Sequence, residues 1–195
     1  MQHDIRIEGH AYALRPVGMK DARFIVELRT GDPERTRYIN PIAQSVEIQE
    51  LWLEQYLKRE NDYYWVVERL GNGVSEGLIG IYDIDSQART AEWGRWVIRS
   101  RSLAAVESAL LIYKAAFERL GLESVHCITV ADNRPVVSFH DSCGLPRLEV
   151  LKDRFRLGEH SFDGVMHRCC ESNWNEVRAR LEPQALRIAR RITDN

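Results

Sequence analysis

The sequence predicts a mixed α/β (α+β) domain, a central sheet of about seven strands flanked by helices, and three observations carry that reading. Strand-like and helix-like segments follow one another in the order β-α-α-β-β-β-α-β-α-β-β. After residue 98 the pattern changes from strand alternation to apolar residues spaced by threes and fours. Turn-forming Gly, Asn and Pro punctuate the chain between these segments.

Tyr12 to Pro16 reads as an opening strand closed by its proline. A helix fits Asp21 to Leu28, with Ala22, Ile25, Val26 and Leu28 as its apolar members. The Gly31-Asp32-Pro33 break leads into a loop, and Ser45 is placed to cap a second helix, Val46 to Lys58. Ile48, Leu51, Trp52, Gln55 and Leu57 are expected on its packed face. Strands Tyr63 to Leu70 and Gly77 to Asp83 join through Gly71-Asn72-Gly73, and Thr90 to Ile98 adds the next strand. Leu103 to Leu120 is a long helix stopped by Gly121. Strand Ser124 to Val130 runs into a short helix that starts near Asp132-Asn133, has Pro135 in its first turn and ends at Gly144-Leu145-Pro146. Leu148 to Phe155 and Phe162 to Cys170 form a closing hairpin around Gly158, and the last twenty residues are helical and basic, interrupted by Pro183.

A chain of 195 residues with no repeat or linker fits one domain, 1–195, with a core of about 11–174 and a helical tail, 175–195. Its hydrophobic fraction of 44% and charged fraction of 29% are those of a globular protein. A net charge of −2 gives no electrostatic case for nucleic acid or an anionic membrane. The opening Met1-Gln2-His3-Asp4-Ile5-Arg6 has no apolar signal core and no apolar run reaches membrane-spanning length, so a cytoplasmic location is expected. Cys127, Cys143, Cys169 and Cys170 lack zinc-finger spacing, so reduced thiols and no metal are expected. The basic stretch Arg178 to Arg191 reads first as a solvated helix face and second as an oligomer contact, such as a homodimer.

Chemistry concentrates between Glu92 and Leu145. The strand ending at Ile98 passes through Arg99-Ser100-Arg101-Ser102-Leu103-Ala104-Ala105 straight into the long helix. A helix N-terminus with free N–H groups and two guanidiniums suits an anion such as a diphosphate, while Ser102 can cap and the alanines let the backbone approach. Two solvated arginines before an ordinary helix is the plainer reading of the same loop.

Residues 133–145, Asn133-Arg134-Pro135-Val136-Val137-Ser138-Phe139-His140-Asp141-Ser142-Cys143-Gly144-Leu145, carry a recognisable pattern. An Asn, a ring residue seven positions on and a closing Gly-apolar pair resemble the GCN5-related N-acetyltransferase (GNAT) superfamily, particularly its ribosomal-protein N-terminal and amino-sugar acetyltransferase branch. Residues 91–98 resemble the family's fourth strand, and Arg99-x-x-Ser102-x-Ala104 falls on its pyrophosphate signature. In element order the resemblance extends from about Tyr12 to Trp174. Two departures stand out: the phosphate loop has no glycine, which predicts a weaker or shifted coenzyme path, and His140 occupies the usual tyrosine position.

The resemblance implies an acyl-CoA N-acyltransferase fold and direct attack of a neutral amine on acetyl-CoA, the cosubstrate, in a ternary complex. Trp96, Val97 and Ile98, then Arg99, Arg101, Ser102, Leu103, Ala104 and Ala105, with Asn133, Val136 and Phe139 opposite, are the expected coenzyme contacts. The oxyanion is expected to meet a backbone N–H near Trp96 to Ile98 if that strand bulges, which Gly94 makes easy. Glu92 is the candidate base, or else a strand carboxylate paired with Arg89 or Arg95. Strand alternation puts Glu92, Gly94 and Trp96 on one face and Trp93, Arg95 and Val97 on the other. His140 is the candidate donor to the leaving thiolate, or else a capping or core histidine. Asn133 caps its helix, holds the coenzyme arm, or both. Tyr82, Trp93 and Asp83 are candidate acceptor contacts; the aromatics are otherwise core, Asp83 and Asp85 turn formers, and His126 a core histidine. The expected acceptor is a small-molecule amine, such as an amino sugar on a nucleotide. A peptide or ribosomal-protein N-terminus, and a CoA-binding sensor without catalysis, are the alternatives.

Overall fold

The computed structural model describes residues 3–193; Met1, Gln2, Asp194 and Asn195, and with them the ends of the expected 1–195 domain, lie outside the described residues. Among those residues the elements run β1 (Ile7–Glu8), β2 (Tyr12–Pro16), α1 (Ala22–Thr30), α2 (Pro33–Thr36), α3 (Val46–Tyr56), β3 (Tyr63–Arg69), β4 (Ser75–Asp85), β5 (Thr90–Ile98), α4 (Ala105–Lys114), β6 (Ser124–Val130), α5 (Arg134–Ser142), β7 (Arg147–Leu157), β8 (His160–Cys170) and α6 (Trp174–Thr193). They form a mixed sheet of eight strands in the order β1-β2-β3-β4-β5-β6-β8-β7, flanked by helices, as the sequence predicts. The added strand is the two-residue β1, too short to leave a periodic signal.

Period-two alternation divides the core. Trp65 and Val67 of β3 join Ile79, Ile81, Leu110 and Leu111 on the α4 and α6 side. Tyr64 and Val66 face the other way, onto Ile25 of α1 and Leu53 of α3. The turn at 71–73 is built as its residues suggest: Gly73 has φ +69° and the Asn72 side chain accepts from the Val74 amide at 3.1 Å.

Three helices depart from expectation. Ser45 caps α3 by accepting from the Ile48 amide at 3.2 Å, but Gln49, Leu53 and Tyr56 form the buried face. Ile48 and Leu51 are 55% and 62% exposed. Apolar residues surround this helix, so spacing does not choose a face; packing against Tyr64 does. The long helix starts at Ala105 and its last turn, residues 115–119, widens to π geometry before Gly121 at φ +62°. α6 runs through Pro183, which sits exposed while Trp174, Val177, Leu181, Ala185 and Ala189 bury the opposite stripe and hold the helix on the core.

Candidate active site

The site opens where two strands part. β5 and β6 are the parallel pair, and they share only the registers Thr90–Ser124, Ala91–Val125 and Glu92–His126. Beyond Glu92 the β5 strand bulges: Gly80 pairs Gly94 and Leu78 pairs Val97, so Arg95 and Trp96 both stand against Ile79. Arg95 itself adopts the left-handed backbone, φ +52°. The bulge was expected from Gly94, but Gly94 serves otherwise: a Cβ there would collide with the Tyr82 hydroxyl.

This extra residue corrects the expected alternation. Trp96 turns onto the face of Trp93, with ring centroids 5.7 Å apart, and both pack toward α4 and α5. Arg95 goes to the Glu92 face, where it lies 4.4 Å from the Tyr82 ring centroid and binds Asp62 through both arms, at 2.5 and 2.8 Å. One inserted residue exchanges the faces of everything after it.

A cavity of ≈ 470 Å³ occupies the gap, lined by Glu92 through Val97 of β5, by Tyr82, and by Asn133, Val136 and His140 across it. Tyr82 donates to Glu92 Oε1 at 2.9 Å, and His126 Nε2 stands 3.7 Å from Oε2. Burial alone would raise the Glu92 carboxyl, but His126 and Tyr82 outweigh it and hold it below the usual carboxylate range. Burial and the Glu92 charge push the Tyr82 phenol up, so it remains a donor. Neither expected ion pair forms, since Arg89 binds Glu123 and Arg95 binds Asp62.

His140, 2% exposed, points from α5 among the rings of Trp93, Trp96 and Phe139. Burial, then the neighbouring His167 ring, lowers its pKa to about 3, so the imidazole is neutral. Its Nε2 lies 3.6 Å from the Cys127 thiol, and its Nδ1 is buried without a partner among the described residues. Asn133 occupies the N-cap of α5 without a side-chain capping bond and lines the cavity instead. Trp96 Nε1 donates to Ser108 Oγ at 3.0 Å, tying the bulge to the first turns of α4.

The loop before α4 leaves the sheet at Ile98. Arg99 and Arg101 are exposed, Arg101 at φ +64°, and Leu103 is 47% exposed. Ser102 donates to the buried Glu76 and accepts from the Ala104 amide at 3.1 Å, so Ala104, not Ser102, is the N-cap residue. The first N–H groups of α4, from Ala105 on, have no acceptor within the helix. Over the cavity crosses the segment between α1 and α3, where Arg35 donates to the Ile98 carbonyl at 3.1 Å and Tyr38 to that of Asp132 at 3.2 Å.

Not every expected contact reaches the cavity. Asp83 is exposed at φ +53°, where the β4–β5 register shifts, and is absent from the lining. Asp85 closes the next turn by accepting from the Gln87 and Ala88 amides, both at 2.9 Å. Trp93 is 2% exposed and forms floor rather than wall. Sequence reasoning missed Arg29 and Trp52, which line the far side with Tyr64, and misplaced His126, which is half-buried beside Glu92. The signal for His126 was its position, opposite Glu92 on a neighbouring strand, which only strand order reveals.

This architecture and cleft are those of an acyltransferase, and residues 12–146 match the acetyltransferase (GNAT) domain family. The chain belongs to the GNAT acetyltransferases and is an acetyl-CoA-dependent N-acetyltransferase. Among solved structures it is similar to FdhC, a nucleotide-linked sugar GNAT, at 28% identity and TM-score 0.76, over 92% of this chain and 99% of that one. A GCN5-related N-acetyltransferase from Brucella melitensis shares the fold at 18% identity and TM-score 0.78, over 91% and 83% of the two chains. A variant of the spermidine N-acetyltransferase from Vibrio cholerae does so at 19% identity and TM-score 0.73, over 85% and 97%. No curated protein sequence matches the chain.

Proposed function

We propose that the enzyme acetylates the primary amine of a small molecule, an amino sugar carried on a nucleotide being the acceptor read from the sequence. The observation that carries this reading is the meeting of Glu92, the β5 bulge, Asn133 and His140 around one cavity. The likeness to a nucleotide-linked sugar GNAT supports the acceptor and the amino-sugar branch.

The coenzyme supplies the activated acetyl group, and the residues present fit it. The gap between β5 and β6, the unpaired first-turn amides of α4 and the guanidiniums of Arg99 and Arg101 offer a slot ending at an anion site. Trp96, Val97, Val136 and Phe139 wall that slot, and Asn133 has its side chain available to it. Glu92 takes the amine's proton, directly or through water, with Tyr82 and His126 orienting the carboxylate. The neutral His140 offers the leaving thiolate a hydrogen bond, and the proton that the thiolate finally takes is the amine's own, passed on by Glu92 through solvent. Burial holds the Cys127 thiol protonated, so it donates to Nε2 and leaves the hydrogen on Nδ1, the nitrogen without a partner.

Acetyl-CoA should raise the melting temperature, by about 2.7 kcal/mol of added stability at a hundredfold excess over Kd. Release of free thiol against sugars, polyamines, aminoglycosides and peptides then identifies the acceptor. Stabilisation without release for any amine would replace this reading with the sensor, and release only with peptides would replace the acceptor class.

A further inference from the structure

The charges lining the cleft do not balance, and we propose that the excess cation, Arg29, selects an acceptor amine that also carries a phosphate or a carboxylate. The inference rests on the acetyl-transfer reading and narrows its substrate.

Three charged side chains line the cavity among the described residues: Arg29, Glu92 and Arg95. Asp62 answers Arg95 through two hydrogen bonds, and Tyr82 and His126 surround Glu92. Among the described residues no carboxylate pairs with Arg29. Its Nη2 donates to the Asn40 carbonyl at 2.5 Å, and its Nε is buried without a partner among the described residues. A guanidinium carries five N–H donors in a planar fork; its partners here, the Asn40 carbonyl and the Tyr64 hydroxyl, are neutral and leave its charge unanswered.

Placement assigns Arg29 to the acceptor and not to the coenzyme. It projects from the end of α1 beside Tyr64, on the wall opposite α5, while the anion loop lies at the start of α4. A half-buried cation without a counter-charge is costly, and a planar oxyanion pair is the ligand that relieves the cost. The single carboxylate, Glu92, meets the reacting ammonium; a polyamine would bring further positive charges against Arg29. The cleft therefore fits a molecule with one amine and one anionic group. Sugar phosphates and nucleotides supply that anion as phosphate, amino acids as carboxylate.

Thiol release at saturating acetyl-CoA tests this with matched acceptors: an amino sugar, its 1-phosphate and its nucleoside-diphosphate ester; an amino acid and its amide; and spermidine. The anionic member of at least one series should lead its neutral counterpart by about tenfold or more in kcat/KM, carried by KM. The phosphate series leading identifies phosphate, the amino-acid series carboxylate. Arg29→Gln should bring that ratio close to one, and Arg29→Lys should restore part of it. Spermidine or the neutral amines leading, or a ratio that survives Arg29→Gln, would overturn the proposal. Calorimetric titration of the same amines into the CoA complex separates it from the transfer reading. Anionic amines that bind the wild type but not Arg29→Gln, with no thiol released, keep the inference and sink the transfer reading. Thiol released from neutral amines, with no binding of anionic ones, does the reverse, and no binding of anionic amines in either assay overturns the inference.

Discussion

At Glu92, two neighbours set a charge state that burial opposes. Because His126 and Tyr82 hold the carboxyl below its usual range, it stays ionised on acidification until below the ordinary carboxylate window. The acid limb of kcat/KM should therefore follow the acceptor's ammonium and move when two acceptors of different amine pKa are compared; a limb fixed for both would show an enzyme group in control. Glu92→Gln should lower kcat by about a hundredfold or more while acetyl-CoA still raises the melting temperature. At His140 the folded-state pKa of about 3 lies below the exposed value of 6.5. Between those values the unfolded chain binds the proton and the folded one does not, so stability is full above about pH 6.5 and falls as pH drops toward 3. Between pH 7 and pH 5 the melting temperature of the wild type should fall more steeply than that of His140→Phe, and equal slopes would contradict the buried neutral imidazole.

Among elements, β5 decides the site. Its bulge places Arg95 with Asp62 and sends Trp96 to the helix side, and Gly94 leaves room for the Tyr82 hydroxyl that reaches Glu92. Gly94→Ala forces Tyr82 aside, so it should cost about 1–3 kcal/mol and lower kcat through the lost contact to Glu92. Gly71→Ala, where an added Cβ meets nothing within 4 Å, is the control and should change neither. Urea midpoints and steady-state rates on both variants check this.

Over the whole molecule, chemistry and stability separate. Leu181 of α6 is fully buried in the α4 cluster, outside the residues that line the cavity. Leu181→Ala should cost about 2–5 kcal/mol with the urea m-value unchanged and leave kcat of the folded fraction near wild type. A loss of kcat comparable to that of Glu92→Gln would mean that α6 packing reaches the cleft. What the sequence by itself determined was local. Tyr12–Pro16, Thr90–Ile98 and Ser124–Val130 were legible to the residue, because each reads as a compact strand between clear stops. The Asn133–His140 spacing was legible through the family resemblance alone; in the structure seven residues along α5 return to one face, and both side chains line the cavity. Tertiary structure alone decided the buried face of α3, the continuity of α6 through Pro183, and the side of β5 on which Trp96 and Arg95 lie. It also decided that Arg29, from a distant helix, ends in the cleft without a counter-charge. Periodicity reports a residue's neighbours along the chain, whereas these outcomes depend on neighbours across it, on one inserted residue in a ladder and on which charges the fold leaves unanswered.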